Sequence, residues 1–197
     1  MAEIDRWPEH RCREEIALSK VELELFESIL NEATDERPLQ TFLAAHPHLM
    51  MCLLPPGRGA WCFDRPRLGS ELIPDFLLCT QNSSGMLWCM VELESPTRPP
   101  LTHTGLPSQK LTQALTQVRD WRVWLRANIA YAQHQLGFQD LDAECHAFVL
   151  IGRRHRIQAR HAARYRELSD KCATIMTYDR LLEAATRGRS MVEGAYA

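Results

Sequence analysis

The sequence predicts an α/β fold in which helices flank a mixed sheet. One observation is that stretches with apolar residues at helical spacing alternate with short, strongly apolar runs that are typical of buried strands. Another is a pair of such runs separated by QNSSG, a turn pattern that predicts a hairpin. In chain order the predicted elements are two helices, the hairpin, and then helix, strand, helix, strand and helix, which is an α/β order.

Two helices are predicted ahead of the sheet. Over residues 10–33 the apolar side chains recur at roughly helical spacing, which predicts an amphipathic helix. Asp35 is placed to cap a second helix, which ends at His46–Pro47. We expect residues 1–34 to form an appendage or an oligomer arm, and residues 35–190 to form one domain.

The hairpin forms the centre of the predicted sheet. Residues 54–70 are rich in Pro, Gly and Arg and indicate a loop with a short strand at 61–63. Residues 71–80 (ELIPDFLLCT) and 86–94 (MLWCMVELE) predict the two strands. Because side chains alternate between the two faces of a strand, positions two apart in either strand share one face.

The chain after the hairpin predicts two more strands between helices. A loop with four prolines precedes the longest helix, which Ser108 caps and which ends near Gln135. Trp121 and Trp124 lie at helical spacing on this helix and are interpreted as core residues. The runs AFVLIG and CATIMTY predict buried strands separated by a basic helical segment, and Asp179 caps the last helix.

The composition is that of an ordinary globular protein. Of 197 residues, 45% are hydrophobic and 24% are charged, and no apolar run approaches the length of a membrane span. The polar, acidic N-terminus differs from a secretory signal, so a cytoplasmic location is expected. Seven cysteines without a CxxC pair are interpreted as buried, reduced thiols. The net charge of −2 by itself indicates no partner.

Three acids of the hairpin form the pattern that indicates chemistry. Asp75 follows Pro74 in the first strand, and Glu92 and Glu94 share one face of the second. Converging carboxylates repel one another and become favourable with a cation, and oxygen ligands suit Mg²⁺ or Mn²⁺. Such an ion activates water and polarises a phosphodiester. The alternative is a set of solvated acids on an open sheet face, although acids are conspicuous in strands this apolar.

The wider sequence resembles the Shedu family of anti-phage defence proteins. The similar segments are LQTFLAAHPHLM, ELIPDFLL, MVELESP, LTQALTQVRDWRVWL, LIGRR and TYDRLLE, and they span about residues 36–185. The resemblance implies a restriction-endonuclease-like PD-(D/E)XK core, a DNA substrate and a divalent metal, Mg²⁺ or Mn²⁺. It also implies assembly into a homo-oligomer and leaves room for a phage or host protein as the trigger.

The resemblance assigns catalytic roles to Asp75, Glu92 and Gln117, the last on the helix after the hairpin. Glu94 is a further predicted catalytic residue, and Glu36 joins Asp75, Glu92 and Glu94 as a candidate metal ligand. The family keeps a lysine in the pattern E-x-K, whereas this chain has a glutamate, Glu94, at that position. Because glutamate can ligate a metal or accept a proton from water, the site is either a variant that relies more on metal or a degenerate site that only binds.

Arginines supply the candidate contacts to nucleic acid. Residues 153–166 carry six arginines and no acid, and such a basic strip can follow a phosphate backbone. Arg153 and Arg154 in this strip and Arg119 on the long helix are the predicted DNA contacts. A solvated helix face, or an ion pair for Arg119, explains the same residues. The sequence has no helix-turn-helix or zinc-finger pattern, so weak sequence preference is expected.

Three functions remain open on this basis. The first is a metal-dependent DNA endonuclease that nicks DNA in phage defence. The second is a catalytically degenerate domain of the same fold that binds nucleic acid. The third is a protein-interaction component that regulates a partner nuclease and dimerises through its N-terminal helix.

Overall fold

The strands form one mixed sheet whose spatial order equals the chain order. They are β1 (Arg58–Asp64), β2 (Phe76–Asn82), β3 (Gly85–Leu93), β4 (His146–Leu150) and β5 (Ala173–Met176). The computed structural model describes residues 7–12, 17–70, 72–169 and 173–187. β1, β2 and β3 pair antiparallel, whereas β3, β4 and β5 pair in parallel. The predicted hairpin and mixed sheet are therefore confirmed, and β3 is the strand at which the direction changes.

Helices cover both faces of this sheet. They are α1 (Lys20–Glu32), α2 (Arg37–Ala45), α3 (Gln109–His134), α4 (Ala162–Arg166) and α5 (Tyr178–Arg187), with a 3₁₀ helix at Pro47–Leu53. Because alternate strand residues point to opposite sides, two apolar clusters form. One joins α1, α2 and α5 to Phe76 and Val91, and the other joins α3 to Leu77 and Met90. None of the described helices is both long and apolar enough to cross a membrane.

The first helix is shorter than the sequence predicted. Ser19 and Glu22 form a capping box, in which Ser19 Oγ accepts from Glu22 N at 3.3 Å and Glu22 Oε2 accepts from Ser19 N at 2.7 Å. Residues 13–16 of the predicted helix lie outside the described residues. Phe26 is buried and stacks on Phe42 of α2 at 4.9 Å. α1 therefore packs onto the sheet domain, and its role as an oligomer arm stays a prediction.

Two other elements have limits that differ from the predicted ones. β2 begins at Phe76, later than predicted, because Pro74 lacks the amide donor that a ladder needs. One backbone hydrogen bond beyond the strand remains, in which Arg65 N donates to Asp75 O at 2.9 Å. The predicted basic helix after β4 is interrupted by extended backbone at Gln158, and α4 keeps only 5 residues.

The long helix agrees with the sequence analysis. Ser108 caps α3 by accepting from Leu111 N at 3.2 Å. Trp121 is 2% exposed in the core, and Trp124 is half-buried. The described cysteines are free, as predicted, although only four of them are fully buried. Cys172 lies outside the described residues.

Gly152 follows β4 and lies against the loop after β3. We expect its substitution to lower the stability of the protein. Its φ is +69°, and a Cβ there would lie 2.5 Å from the Arg98 carbonyl oxygen. Because backbone strain and a clash add, we expect Gly152→Ala to lower the free energy of unfolding by about 2 kcal/mol or more. Gly137→Ala is the control, since its φ is +78° but the nearest atom, Trp7 Nε1, is 3.8 Å away. Urea unfolding of both variants measures the difference, and equal losses would contradict the clash.

Candidate active site

Asp75 lies opposite Glu92 at the end of the hairpin. Phe76 pairs with Val91 in the antiparallel register, and one further step places Asp75 across from Glu92. Residues opposite each other in an antiparallel pair have Cβ atoms about 5 Å apart. The backbone ladder ends here, and Asp75 Oδ2 instead accepts a hydrogen bond from Leu93 N at 2.7 Å. The aspartate side chain thus continues the pairing where the strands separate.

Glu92 and Glu94 lie at the carboxyl end of β3, on the sheet face that α3 covers. Both are buried, with exposed fractions of 6% and 5%. Glu94 N donates to Leu150 O at 2.8 Å, which extends the parallel pairing with β4. Tyr178 Oη, from α5, donates to Glu94 O at 2.8 Å. The main chain that carries the two acids is therefore held from both sides.

Gln117 reaches Glu92 from α3. With its side-chain nitrogen toward the acid, it donates to Glu92 Oε2 at 3.2 Å and also contacts Oε1. α3 is held in this position by Leu111, Val118 and Trp121, which are buried against the same sheet face. The structure thus brings together the helix glutamine and the strand glutamate that the sequence singled out, while the catalytic role of Gln117 stays a prediction.

Lys110, in the first turn of α3, is a site residue that the sequence analysis missed. Its Nζ lies 3.6 Å from Glu94 Oε2. A signal was present in the sequence, because Lys110 precedes Gln117 by seven residues and two helical turns return a side chain to nearly the same face. The signal becomes informative only once Gln117 is known to face the acids.

Burial and mutual repulsion shift the protonation of the three acids. Burial raises the pKa of Asp75 to about 6. Burial, together with the charges of Asp75 and Glu94, raises the pKa of Glu92 to about 9. Burial also raises the pKa of Glu94, and the charge of Lys110 acts against that change. At neutral pH the cluster therefore retains a proton on Glu92 unless a cation takes its place.

Glu36, the residue before α2, contributes to the same negative field. Its charge raises the pKa of each of the three hairpin acids. The turn that carries it is tied to the end of β3, because Ser95 Oγ donates to Thr34 O at 2.9 Å. Glu36 therefore lies within electrostatic reach of the cluster, and its role as a metal ligand stays a prediction.

The cluster has the chemistry of a divalent-cation site but is not assembled as one. Its carboxylate oxygens suit Mg²⁺ or Mn²⁺. Within the described part of the chain, no group of three His, Cys, Asp or Glu side chains is spaced to hold an ion. Each acid has a protein partner instead: the Leu93 N–H for Asp75, the Gln117 amide for Glu92 and the Lys110 ammonium for Glu94.

The basic strip is engaged with the protein at its start. Arg153 Nε donates to Asp179 Oδ1 at 3.0 Å, and Arg153 Nη1 donates to Leu30 O at 2.9 Å. Arg154 Nη1 pairs with Glu183 Oε1 at 2.6 Å. These contacts join the segment after β4 to α5 and α1. They favour a structural role for both arginines over the DNA contact that the sequence suggested, which stays a prediction.

Arg119 is exposed on α3. It follows Gln117 by two residues, and positions two apart on a helix do not face the same way. Arg119 therefore points away from the acid cluster. A DNA contact from it, which also stays a prediction, would lie away from the acid cluster.

These features define a class of protein. A mixed sheet with a proline–aspartate step opposite an acidic strand end, and a glutamine on the next helix, is the arrangement of a restriction-endonuclease-like, PD-(D/E)XK-type domain. The family model described as "Shedu protein SduA, C-terminal" matches residues 33–182, most of the chain. The chain therefore belongs to the Shedu family. No curated protein matches it.

One solved structure to which the chain is similar is that of the restriction endonuclease FokI bound to DNA. The TM-score is 0.47 and the sequence identity is 15%. The match covers 90% of this chain and 29% of that chain, so this chain spans less than a third of FokI. A likeness of this size adds nothing about activity, and the family assignment depends on the sequence match alone.

The raised pKa of Glu92 predicts a pH-dependent stability. The folded protein keeps a proton on Glu92 up to about pH 9, whereas the unfolded chain loses it near the ordinary value of 4.5. The stability from this group is therefore complete below pH 4.5 and is lost as the pH rises toward 9. Glu92→Gln removes this titration, so the wild type should lose up to roughly 1.4 kcal/mol per pH unit relative to the variant.

Urea unfolding of both proteins, from about pH 5 to about pH 8.5 with a chelator present, measures this difference. Parallel profiles would show that Glu92 ionises normally in the folded protein. Glu144→Gln is the control, because Glu144 is exposed and pairs with Arg126. It precedes β4 and so lies at the end of that strand away from the acid cluster. Its profile should follow that of the wild type.

Proposed function

We propose that this protein is a metal-dependent DNA endonuclease that nicks duplex DNA in bacterial anti-phage defence. The observation that carries the proposal is the carboxyl pair of Asp75 and Glu92, which the hairpin register sets opposite each other. Membership of the Shedu family supports the defence context. The proposed place of action is the cytoplasm, where host and phage DNA meet.

Two carboxyl groups in this arrangement favour a bound cation. Burial, and then their mutual repulsion, raise the pKa of Glu92 and hold a proton there, and a divalent ion can replace that proton. When bound, Mg²⁺ or Mn²⁺ would lower the pKa of a water molecule and neutralise charge on the phosphodiester. Asp75 and Glu92 are the residues that would hold the ion, and Glu94 and Glu36 are the further candidate ligands.

The neighbouring groups orient the pair. The Leu93 N–H fixes one oxygen of Asp75 at the strand end. The Gln117 amide contacts both oxygens of Glu92 and so sets the rotation of that carboxyl group. Glu94 stands on the same face, where its carboxylate can accept a proton from the attacking water.

The proposed substrate is DNA with weak sequence preference. The acid cluster lies at a sheet end and not on an element that reads base edges in a groove. The proposal assigns one nick to each acid cluster, because a single cluster acts on one phosphodiester at a time. Assembly into a homo-oligomer, and activation by a phage or host protein, belong to the same proposal.

A degenerate site is the second candidate. Glu94 replaces the lysine of the family pattern, and the described residues contain no set of three donors spaced for a metal. A domain of this kind would bind nucleic acid, or regulate a partner nuclease, without cutting.

Plasmid nicking distinguishes the two candidates. Supercoiled plasmid is incubated with the wild-type protein in Mg²⁺ and, separately, in Mn²⁺, and we expect open circles. Asp75→Ala should slow their formation at least about a hundredfold, because a metal ligand is lost. Glu144→Gln, remote from the cluster, should keep the wild-type rate. Undiminished nicking by Asp75→Ala would contradict the assignment of the site.

Glu94→Lys separates a variant site from a degenerate one. If the wild type is inert and Glu94→Lys cuts, the scaffold is intact and the protein now binds or regulates. If neither protein cuts in either metal, the enzyme proposal fails, while the family and fold assignments are unaffected.

A further inference from the structure

Lys110 is the accessible member of an ion pair with a buried acid. Its side chain is 50% exposed, whereas that of Glu94 is 7% exposed. A ligand that approaches the cluster from solvent therefore meets the ammonium before the carboxylate. An ordinary surface ion pair differs, because both of its members are exposed and it contributes little to stability.

The helix face that carries Lys110 is the face that covers the acids. Lys110 contacts Glu94, and Gln117, seven residues later, contacts Glu92. Ala114 lies between them with an exposed fraction of 0%, and its small side chain allows α3 to approach the sheet closely. Both contacts thus result from one helix–sheet packing, which holds Lys110 within reach of the cluster.

A nucleic-acid phosphate needs positive charge at this place. The ionised acids of the cluster would repel it. Lys110 is a cation whose charge acts on both Glu92 and Glu94, whereas the charge of Arg65 acts on Asp75. Lys110 therefore lies where a phosphate that enters the site would otherwise meet the acidic side chains of the cluster.

The residue type is unusual for this chain, which contains twenty arginines and three lysines. Arginine binds through a rigid planar fork, whereas the lysine ammonium is a compact charge with three rotatable donors. An ammonium can donate to Glu94 and to a phosphate oxygen at the same time. The lysine ammonium therefore suits a position between a carboxylate and a substrate.

We propose that Lys110 contacts the phosphate of the substrate at the reaction centre and supplies positive charge there from α3. Glu94 is then a positioning residue that keeps the ammonium beside the cluster. Lys110 forms no covalent bond with the substrate. It donates hydrogen bonds to a non-bridging phosphate oxygen and stays protonated. This inference rests on the proposed DNA substrate.

DNA binding tests the contact without cutting. In an Asp75→Ala background, Lys110→Met keeps most of the aliphatic stem and removes the charge. We expect the affinity for a short duplex to fall about tenfold at low salt, and the slope of log K against log salt to fall by about 1. Lys20→Met is the matched control, because Lys20 pairs with Glu24 at 3.9 Å on the surface of α1 and should matter little.

A second test moves the positive charge from position 110 on α3 to position 94 after β3. Glu94→Lys, added to Lys110→Met in the same background, should bring the affinity back to within about threefold of the parent, because the ammonium then comes from the strand. Glu94→Gln combined with Lys110→Met is the control for loss of the acid alone. This variant should regain less of the DNA affinity than the one with Glu94→Lys. Equal recovery by the two double variants would overturn the proposed contact.

Two further results would also overturn the inference: equal affinity and salt slope for Lys110→Met and Lys20→Met, or a parent that binds no DNA at low salt. The endonuclease proposal fails separately. If Lys110→Met weakens DNA binding as expected but the wild type cuts in neither metal, Lys110 remains a phosphate contact in a domain that binds without cutting.

Discussion

The pairing register of β2 and β3 is the constraint on which the site depends. It sets Asp75 opposite Glu92 where the strands stop pairing, and a shift of one residue would turn Glu92 to the other face of the sheet. Carboxylates placed so close, and shielded from water, are costly to ionise. The Leu93 N–H, Gln117 and Lys110 each supply a donor that offsets part of this cost.

The topology explains why two of these donors, Lys110 and Gln117, come from one helix. β3 pairs antiparallel with β2 but parallel with β4, and a parallel pair needs a crossover that returns along the sheet. α3 is that crossover, so its first turn starts beside the end of β3 and its next turns run back over the strand. Lys110 therefore meets Glu94, and Gln117 meets Glu92, in the order that the return direction requires.

The sequence predicted the order of the elements well and their long-range contacts poorly. The α3 cap at Ser108 was predictable, because capping depends on neighbours along the chain. The internal contacts of Arg153 were not, because its partners Asp179 and Leu30 lie far away in sequence. The start of the arginine strip therefore joins separate elements, and its DNA contact stays a prediction.

The sequence by itself determined which side chains share a face: Glu92 with Glu94 through strand alternation, and Lys110 with Gln117 through two helical turns. Only the tertiary structure decided that these two faces meet, and that a lysine from the helix accompanies the second glutamate. The physical reason is that periodicity is encoded in neighbouring residues. The pairing of faces depends instead on how the crossover packs against the sheet, and no local pattern specifies that packing.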